Sequence, residues 1–251
     1  MILILTAIRP ETEVVLEVYD LKKDQDKIWR GTHDSGHEVL LWELGMGHEL
    51  ALKKFEINQS LFANLAVDHA LVFGYCGGLR PTLRLGDVFI PERVIAEDAV
   101  RKEGPVDLHL DMELCDELGR SLLKEGITYR VGPLVTAEKV VQSPEDKINL
   151  FRSTGAEAVD MEVFPLVRAL RRHKISVVVV KAILDDSRTA LPDINSKAVA
   201  TQDGLHYPMA EVSKQGGALQ KNLKNNLKRA APVLKKTLPV VVDVLLKNVG
   251  L

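Results

Sequence analysis

Two acidic side chains follow apolar runs of the chain, at positions where side chains often meet a ligand. Glu162 precedes a helix that apolar spacing predicts over 163–170. Asp185 follows a β-branched run, 176–180, that is typical of a buried strand. Ligands of open α/β sheets collect beyond the carboxyl ends of strands, where a carboxyl group can transfer a proton. A purely structural interpretation stays open, in which Glu162 complements its helix dipole and Asp185 caps the next turn.

A glycine cluster follows another predicted strand. The strand over 69–73 runs directly into Gly74, Tyr75, Cys76, Gly77 and Gly78. The cluster lacks the G-x-G-x-x-G spacing of a dinucleotide-binding turn, and the chain has no G-x-x-x-x-G-K-[ST] loop. Glycines let backbone N–H groups approach a ligand closely. A turn that simply requires positive φ is an equally good interpretation of the cluster alone.

Strand-like and helix-like segments alternate along most of the chain. The predicted strands are 2–7, 28–31, 39–44, 69–73, 85–91, 129–135 and 176–180. Helices are predicted to begin near Arg9 and Ser143 and to span 49–67, 112–124 and 163–170. This alternation predicts one α/β domain with a mixed sheet, assigned to residues 1–211. The polar segment 98–111 is predicted to be a loop over the surface or over a site.

The composition is that of an ordinary globular protein. The chain has 251 residues and a net charge of −2, so the charge gives no reason to expect nucleic-acid binding. Cys76 and Cys115 lack metal-ligand spacing and are too few for a disulfide framework, which predicts a reducing cytoplasm and no metal site. The apolar start over 1–5 is too short for a signal peptide. No run approaches the roughly 20 apolar residues of a membrane-spanning helix.

Residues 212–251 are predicted to form a basic, amphipathic helical extension. There is no Asp or Glu between Val212 and Val242, where Lys and Arg accumulate. An apolar stripe at helical spacing passes through Leu219, Leu223, Leu227, Ala230 and Leu234. Such a helix is typical of contact with an anionic membrane surface. The alternative is a terminal helix that docks on the sheet and leaves its lysines in solvent.

Three segments in register resemble the nucleoside phosphorylase and nucleosidase superfamily, which includes purine and uridine phosphorylases and methylthioadenosine nucleosidase. They are 74–79 with 85–88, then 159–162, then 180–185. The resemblance implies a three-layer α/β/α sandwich around a twisted mixed sheet, usually assembled as a homodimer or higher homo-oligomer. It also implies cleavage of the N-ribosyl bond of a purine nucleoside, with adenine favoured, and no metal or redox cofactor.

The resemblance implies roles for three carboxyl groups. Glu162 matches the group that binds the ribose hydroxyls, and Asp185 matches the acid at the purine N7. Glu13 matches the residue that positions the attacking water. Cleavage develops positive charge on the sugar and negative charge on the base, so a carboxylate and an acid suit the two ends of the bond. Burial beside Leu184 would raise the pKa of Asp185 and help it to donate a proton.

The remaining matches concern substrate binding. The predicted substrate contacts are Met161 on the sugar, the adjacent Asp160, a floor of Gly74, Tyr75, Cys76 and Gly77 beneath the sugar, and Val140 and Val141 beside the base.

Departures from the family pattern bear on the nucleophile. Leu184 stands where nucleosidases often have a Ser that holds the following Asp, and Lys181 stands where Arg is common. Val72 occupies the position of the phosphate-binding Arg of hexameric phosphorylases, whose N-terminal Gly-Asp-Pro-x-Arg motif is also missing. Water is therefore favoured over phosphate as the nucleophile. A phosphate-dependent phosphorylase and a non-catalytic nucleoside-binding module stay open as alternatives.

A narrower resemblance concerns segments 154–162 and 186–193 together with the basic tail. This combination is similar to the hopanoid-associated phosphorylase branch, whose inferred reaction removes adenine from adenosylhopane. A lipid-bearing substrate would give the basic tail a purpose, because the tail would hold the enzyme peripherally at the inner, anionic membrane surface.

Overall fold

A mixed sheet forms the centre of the protein. The computed structural model describes residues 1–57, 66–97, 107–201, 204–207 and 217–249. Ten strands of this part form the sheet: β1 (Ile2–Thr6), β2 (Lys22–Gln25), β3 (Ile28–Thr32), β4 (Glu38–Glu43), β5 (His69–Gly78), β6 (Val88–Ala96), β7 (Asp107–His109), β8 (Tyr129–Thr136), β9 (Ala158–Asp160) and β10 (Ser176–Asp185). A separate antiparallel pair joins β11 (Val199–Thr201) to β12 (Gly204–His206).

Helices cover both faces of this sheet. The α-helices of the described residues are α1 (Arg9–Val18), α2 (His48–Ile57), α3 (Met112–Lys124), α4 (Pro144–Thr154), α5 (Val163–Arg172) and α6 (Ala218–Lys247). Helix α6 packs against α1, α3, β1 and β10, whereas α5 packs against α2, β6, β8 and β10. The central strand β10 thus lies between two helical layers, which confirms the predicted α/β/α sandwich.

The central strands are apolar on both sides because helices cover both faces. Every residue of β1 is buried, and β5 and β10 are buried except at one or two residues each. Strand β1 pairs in parallel with β4 and β5, and β5 pairs in parallel with β10. Antiparallel ladders join β10 to β6 and β5 to β9, so the sheet is mixed as predicted.

The sheet divides beside β5. The first half of β5 pairs with β1, ending at the pair of Leu5 with Val72. Beyond the end of β1, Gly77 and Gly78 pair with β9 instead. The opposite edge of β5 pairs with β10 from its first residue to Gly77, and β6, β8 and β9 complete a ring back to β5. A gap is therefore left between the end of β1 and β9, and it opens above the middle of β5.

Helix α6 is part of the main core. Its buried side chains include Leu234, Leu238, Val241, Val242 and Leu245, which join the apolar cluster of the sheet. This part of the tail therefore matches the alternative prediction, a terminal helix that docks on the sheet. The predicted boundary between residues 211 and 212 lies outside the described residues, as does Lys214.

Several strand limits differ from those predicted. Residues 74–78 continue β5 rather than forming a turn after it, because their N–H and C=O groups pair with β10 and β9. Strand β6 extends to Ala96, beyond the predicted end at residue 91, and β2, β7 and β9 were not predicted. Of the predicted loop 98–111 and helix 49–67, residues 98–106 and 58–65 lie outside the described part. No helix of the described residues has the length and apolar character needed to cross a membrane.

Candidate active site

The gap beside β5 is a cleft of about 740 Å³, including its mouth. The walls come from the ends of β1, β5, β9 and β10 and from the loops after β8 and β10. The lining residues are Ala7, Ile8, Glu11, Met46, Tyr75, Cys76, Gly77, Lys139, Val140, Val141, Val159, Asp160, Met161, Glu162, Leu184, Asp185, Leu191, Ile194 and Leu223.

The cleft brings together Glu162 and Asp185, the two acids that the sequence singled out. Both are buried, with 6% and 5% of their surface exposed. Glu162 makes no cap on α5; its Oε1 accepts a hydrogen bond of 2.6 Å from the N–H of Gly47. The structural interpretation of Glu162 as a first-turn residue therefore does not account for the direction of its side chain.

Asp160 caps the start of α5. Its Oδ2 accepts from the N–H groups of Glu162 and Val163 at 3.2 and 2.8 Å, and its Oδ1 accepts from the Thr136 hydroxyl at 2.8 Å. Thr136 in turn accepts from the N–H of Phe164. These bonds fix the start of α5 and the backbone of Glu162. Asp160 also borders the cleft, and its role as a substrate contact stays a prediction.

Glu11, rather than Glu13, faces the cleft. Glu11 is 3% exposed, whereas the Glu13 side chain is 54% exposed and pairs with Arg9 at 3.2 Å. Residues two apart on a helix point about 200° away from each other, so they cannot share a face. The prediction that Glu13 is a site residue is therefore wrong, because Glu13 lies on the side of α1 that faces away from the cleft.

The carboxyl group of Glu11 lies just beyond the end of β1, beside β5. Its Oε2 accepts from the N–H groups of Ala7 and Ile8 at 2.7 and 3.1 Å, and its Oε1 accepts from the N–H of Tyr75 at 2.7 Å. Gly74 makes this approach possible, because a Cβ on it would lie 2.1 Å from Glu11 Oε1. Gly74 does not line the cleft itself, so its part in the predicted floor is to admit Glu11.

A buried lysine offsets the negative charge of these acids. Lys181 is 1% exposed, and its Nζ lies 4.0 Å from Asp160 Oδ2. Burial alone lowers the pKa of Lys181, but the negative charges of Glu11, Asp160 and Glu162 outweigh it and raise the pKa. Lys181 is therefore held as a cation whose charge is shared among three carboxyl groups.

The acids have raised pKa values in this setting. Burial raises the pKa of Glu11, against the opposing charge of Lys181. Burial and the charge of Asp160 raise the pKa of Glu162 to about 8, against Lys181 and the Gly47 N–H. Burial also raises the pKa of Asp185, while Lys147 opposes the rise. Raised values of this kind are expected where carboxyl groups serve as acids or bases near neutral pH.

Asp185 is held by a residue that the sequence analysis missed. Lys147, on α4, is completely buried and forms an ion pair with Asp185 Oδ2. The turn that Asp185 was considered to cap is capped by Asp186, which accepts from the N–H of Arg188 and the hydroxyl of Thr189. A signal was present in the sequence, since a lysine in the first turn of a helix opposes the helix dipole and needs another reason to be there.

The apolar residues named from the sequence also border the cleft. Met161 and Val140 belong to a small cluster with Ile194 and Tyr207, and Val141 lies beside them in the cleft wall. Tyr75, Cys76 and Gly77 supply the floor. Burial raises the pKa of the Cys76 thiol, so Cys76 acts as a small apolar side chain there rather than as a nucleophile.

The fold and the cleft together define a class of α/β proteins that bind small molecules at a division of the sheet. Within that class, the chain belongs to the phosphorylase superfamily, whose family model matches residues 2–213. This match confirms the resemblance drawn from the three sequence segments.

Its curated relatives are 5′-methylthioadenosine/S-adenosylhomocysteine nucleosidases. The chain is 24% identical over 235 residues to the nucleosidase of Buchnera aphidicola, covering 88% of this chain and 97% of the relative. It is 28% identical over 171 residues to that of Tolumonas auensis, covering 63% of this chain and 73% of the relative.

Solved structures show the same fold. A Helicobacter pylori 5′-methylthioadenosine/S-adenosylhomocysteine nucleosidase, solved with butyl-thio-DADMe-Immucillin-A, superposes with a TM-score of 0.74 at 17% identity, over 96% of this chain and 97% of that one. The futalosine hydrolase of the same organism superposes with a TM-score of 0.73 at 17% identity and the same coverage.

Proposed function

We propose that this protein hydrolyses the N-glycosidic bond of a purine nucleoside, with adenine as the favoured base. Cleavage of an N-glycosidic bond agrees with the superfamily and with the nucleosidases among its relatives. The observation that carries the finer proposal is the convergence of Glu11, Glu162 and Asp185 on one cleft.

Glu11 and Glu162 serve the sugar end of the bond in this proposal. Glu162, in its ionised form, binds ribose hydroxyls and stabilises the positive charge that develops on the ring. Glu11 lies across the cleft floor, where its carboxylate can orient a water molecule towards the sugar carbon. Met161 borders the same space and supplies an apolar surface for the ring.

Asp185 serves the base end. Its carboxyl group lies at the end of β10 beside Gly77, where a Cβ would come within 3.3 Å of Asp185 Oδ2. The raised pKa keeps a larger fraction protonated near neutral pH than in a solvent-exposed Asp. Asp185 donates its proton to N7 as negative charge develops on the departing purine. Val140 and Val141 form the apolar wall beside the base.

The charges at the cleft favour water over phosphate. Among the described lining residues, the basic side chains are limited to Lys139, which is exposed at the rim. Lys181 and Lys147 lie behind the surface and are engaged by acids of the protein. A phosphate dianion beside Glu11 and Glu162 would have no arginine to offset the repulsion.

Base release is therefore expected to be independent of phosphate. Purified protein is incubated with 5′-methylthioadenosine and with adenosine, with and without inorganic phosphate, and the free base and sugar are separated by chromatography. We expect equal rates in both conditions and a free reducing sugar as the second product. Formation of ribose 1-phosphate, with no release when phosphate is removed, would show a phosphorylase instead. Binding of the nucleoside without release in either condition would indicate the binding module.

The mouth of the cleft favours an apolar substituent on the ribose. Ile8, Leu191, Ile194 and Leu223 line the cleft together with Met46. Leu223 comes from the first turns of α6, which carry the basic residues Lys221, Lys224, Lys228 and Arg229, all exposed. An apolar opening beside a basic surface suits a nucleoside attached to a lipid, and adenosylhopane is the candidate of that class. In this proposal the start of α6 contacts an anionic membrane.

Reversing the charge at the start of α6 is expected to abolish binding to anionic vesicles. Each Lys or Arg near an anionic surface contributes about 1 kcal/mol, so replacing Lys221, Lys224, Lys228 and Arg229 by Glu removes most of the attraction. The measurement is co-sedimentation with vesicles of phosphatidylglycerol and phosphatidylcholine. Removal of the whole tail is unsuitable as a test, because α6 contributes Leu234 and Leu238 to the core.

The control variant carries the same change of charge elsewhere. Lys22, Lys23, Lys124 and Lys174 are exposed and lie outside α6, and their replacement by Glu is expected to leave more binding than the α6 variant. Equal binding by both variants and the unchanged protein would contradict the membrane contact.

A further inference from the structure

Lys147 is the least expected charged residue near the cleft. It lies in the first turn of α4, has 0% exposure, and none of the roles described for the sugar or the base involves it. Lysine is rarely buried completely unless it is paired. A buried ammonium group is costly to keep, so the surroundings of its Nζ indicate what this one does.

The ammonium group of Lys147 has three donors, and three oxygens accept from it. Nζ donates to Asp185 Oδ2, to the carbonyl oxygen of Asp186 at 3.0 Å and to the carbonyl oxygen of Thr189 at 2.8 Å. An ammonium has no further donor to offer. This arrangement holds the group as a cation and ties the start of α4 to the end of β10 and the loop behind it.

The same loop is joined to the cleft wall by other bonds. The N–H of Leu191 donates to the carbonyl oxygen of Gln142, and the Asn195 amide donates to the carbonyl oxygen of Val140. These bonds join the loop to the cleft wall without involving Lys147. The bond to Asp185 is different, since it contacts the carboxyl group itself.

We propose that Lys147 is a positioning residue for the reaction, because it holds the Asp185 carboxyl by one oxygen and leaves the other for the base of the substrate. The hydrogen bonds described for Asp185 use Oδ2 and leave Oδ1 without a described partner. The neighbouring Leu184 has no polar group that could orient Asp185. This inference rests on the proposed function, in which Asp185 meets the purine.

Lys147 also sets the pH range over which Asp185 keeps its proton. The groups that face Asp185 are Lys147 from α4, Asp186 from the following loop and the Cys76 thiol from β5. Asp186 is paired with Arg188, and the raised pKa of Cys76 keeps that thiol neutral. Lys147 is therefore the cation that opposes the effect of burial. Its removal raises the pKa of Asp185 further.

The test compares Lys147→Met with Lys147→Arg. For base release, the alkaline limb of the kcat/KM profile is expected to move to higher pH by about 1–3 units in Lys147→Met, the usual size of such a charge effect. We also expect a lower kcat with little change in KM, because the acid is less well oriented while the sugar contacts remain. Lys147→Arg keeps the cation and is expected to keep the limb near that of the unchanged protein.

A second measurement does not depend on activity. Protein labelled with ¹³C-aspartate is titrated by NMR, and the Asp185 signal is assigned by its loss in Asp185→Asn. The signal is expected to titrate at higher pH in Lys147→Met, or in Lys147→Gln if the Met variant does not fold. An unchanged titration would overturn the inference. An alkaline limb of the kcat/KM profile that moves as far in Lys147→Arg as in Lys147→Met would also overturn it. A shifted NMR titration without base release from any nucleoside would instead overturn the proposed function.

Discussion

Replacing Asp185 by Asn is expected to slow base release by roughly 10²–10⁴-fold, the range typical of general acid–base catalysis. The amide keeps the shape of the side chain and can still accept from Lys147, but it has no acidic proton for N7. Since ground-state contacts to the sugar remain, KM is expected to change less than kcat. The measurement is steady-state release of adenine, with binding of a non-hydrolysable nucleoside analogue as a check on the cleft.

The sign of the pH dependence follows from the raised pKa of Asp185. Burial raises this pKa, and the reactive form is protonated, so activity is present below that pKa and falls as pH rises through it. The corresponding alkaline limb is expected to disappear in Asp185→Asn. An activity close to that of the unchanged protein would exclude Asp185 as the acid.

Two controls separate this effect from a loss of structure. Asp186→Asn removes the carboxylate of the next residue, which accepts bonds from Arg188 and Thr189 and does not line the cleft, so most of the activity is expected to remain. The double variant Asp185→Asn with Lys147→Met removes both members of the buried pair and leaves no uncompensated charge. If the single variant unfolds, the double variant tests the acid.

The sequence was sufficient to predict the fold and the location of the cleft. Strand and helix periods identified most of the central elements, because strands buried on both faces are almost continuously apolar and helices carry a single apolar face. The limits of α3 matched the prediction, Met112–Lys124. Glu162 and Asp185 were predicted to lie at neighbouring strand ends, and the structure agrees: Glu162 lies two residues after β9, Asp185 is the last residue of β10, and both strands pair with β5.

The sequence was insufficient where a contact depends on tertiary packing. The cluster 74–78 left two interpretations open, a backbone that approaches a ligand and a simple turn, whereas it belongs to β5, where Gly74 makes room for Glu11. A glycine cluster has the same local pattern in a turn and in a strand. Only the neighbouring helix α1 shows which of the two structures this cluster forms. Likewise, Lys147 and Asp185 are 38 residues apart, and their pairing depends on how α4 returns to the end of β10.

The assignment to Glu13 failed for a different reason, which is the phase of α1. Both Glu11 and Glu13 lie near the start of this helix, and the sequence alone does not fix which face meets the sheet. Pro10 is the second residue of the helix and Glu11 the third, so Glu11 falls in the first turn, from which its carboxyl group reaches back to the N–H groups of Ala7 and Ile8. Glu13 is carried to the solvent side, beside Arg9.

This pair of acids provides a matched test within one helix. Glu11→Gln is expected to reduce base release by about 10²-fold or more, because the water-orienting carboxylate is lost. Glu13→Gln is expected to leave the rate unchanged, since its ion pair with Arg9 is exposed and such pairs contribute about 0–1 kcal/mol to stability. Both variants remove one negative charge from α1, so a general change of charge cannot explain a difference between them. The rates are compared under identical conditions with adenosine and 5′-methylthioadenosine.

Stability must be measured beside the rates, because Glu11 accepts three backbone hydrogen bonds. In Glu11→Gln one acceptor oxygen becomes an amide donor, and a buried N–H group left without a partner costs about 1–3 kcal/mol. We therefore expect a lower Tm for Glu11→Gln and an unchanged Tm for Glu13→Gln. Glu11→Asp, which keeps the charge but is too short to reach all three N–H groups, should retain more activity than Glu11→Gln if the charge orients water. A greater loss in Glu13→Gln than in Glu11→Gln would reverse the assignment made from the structure. Equal activity in Glu11→Gln and the unchanged protein would remove Glu11 from the mechanism and leave Glu162 and Asp185 to carry it.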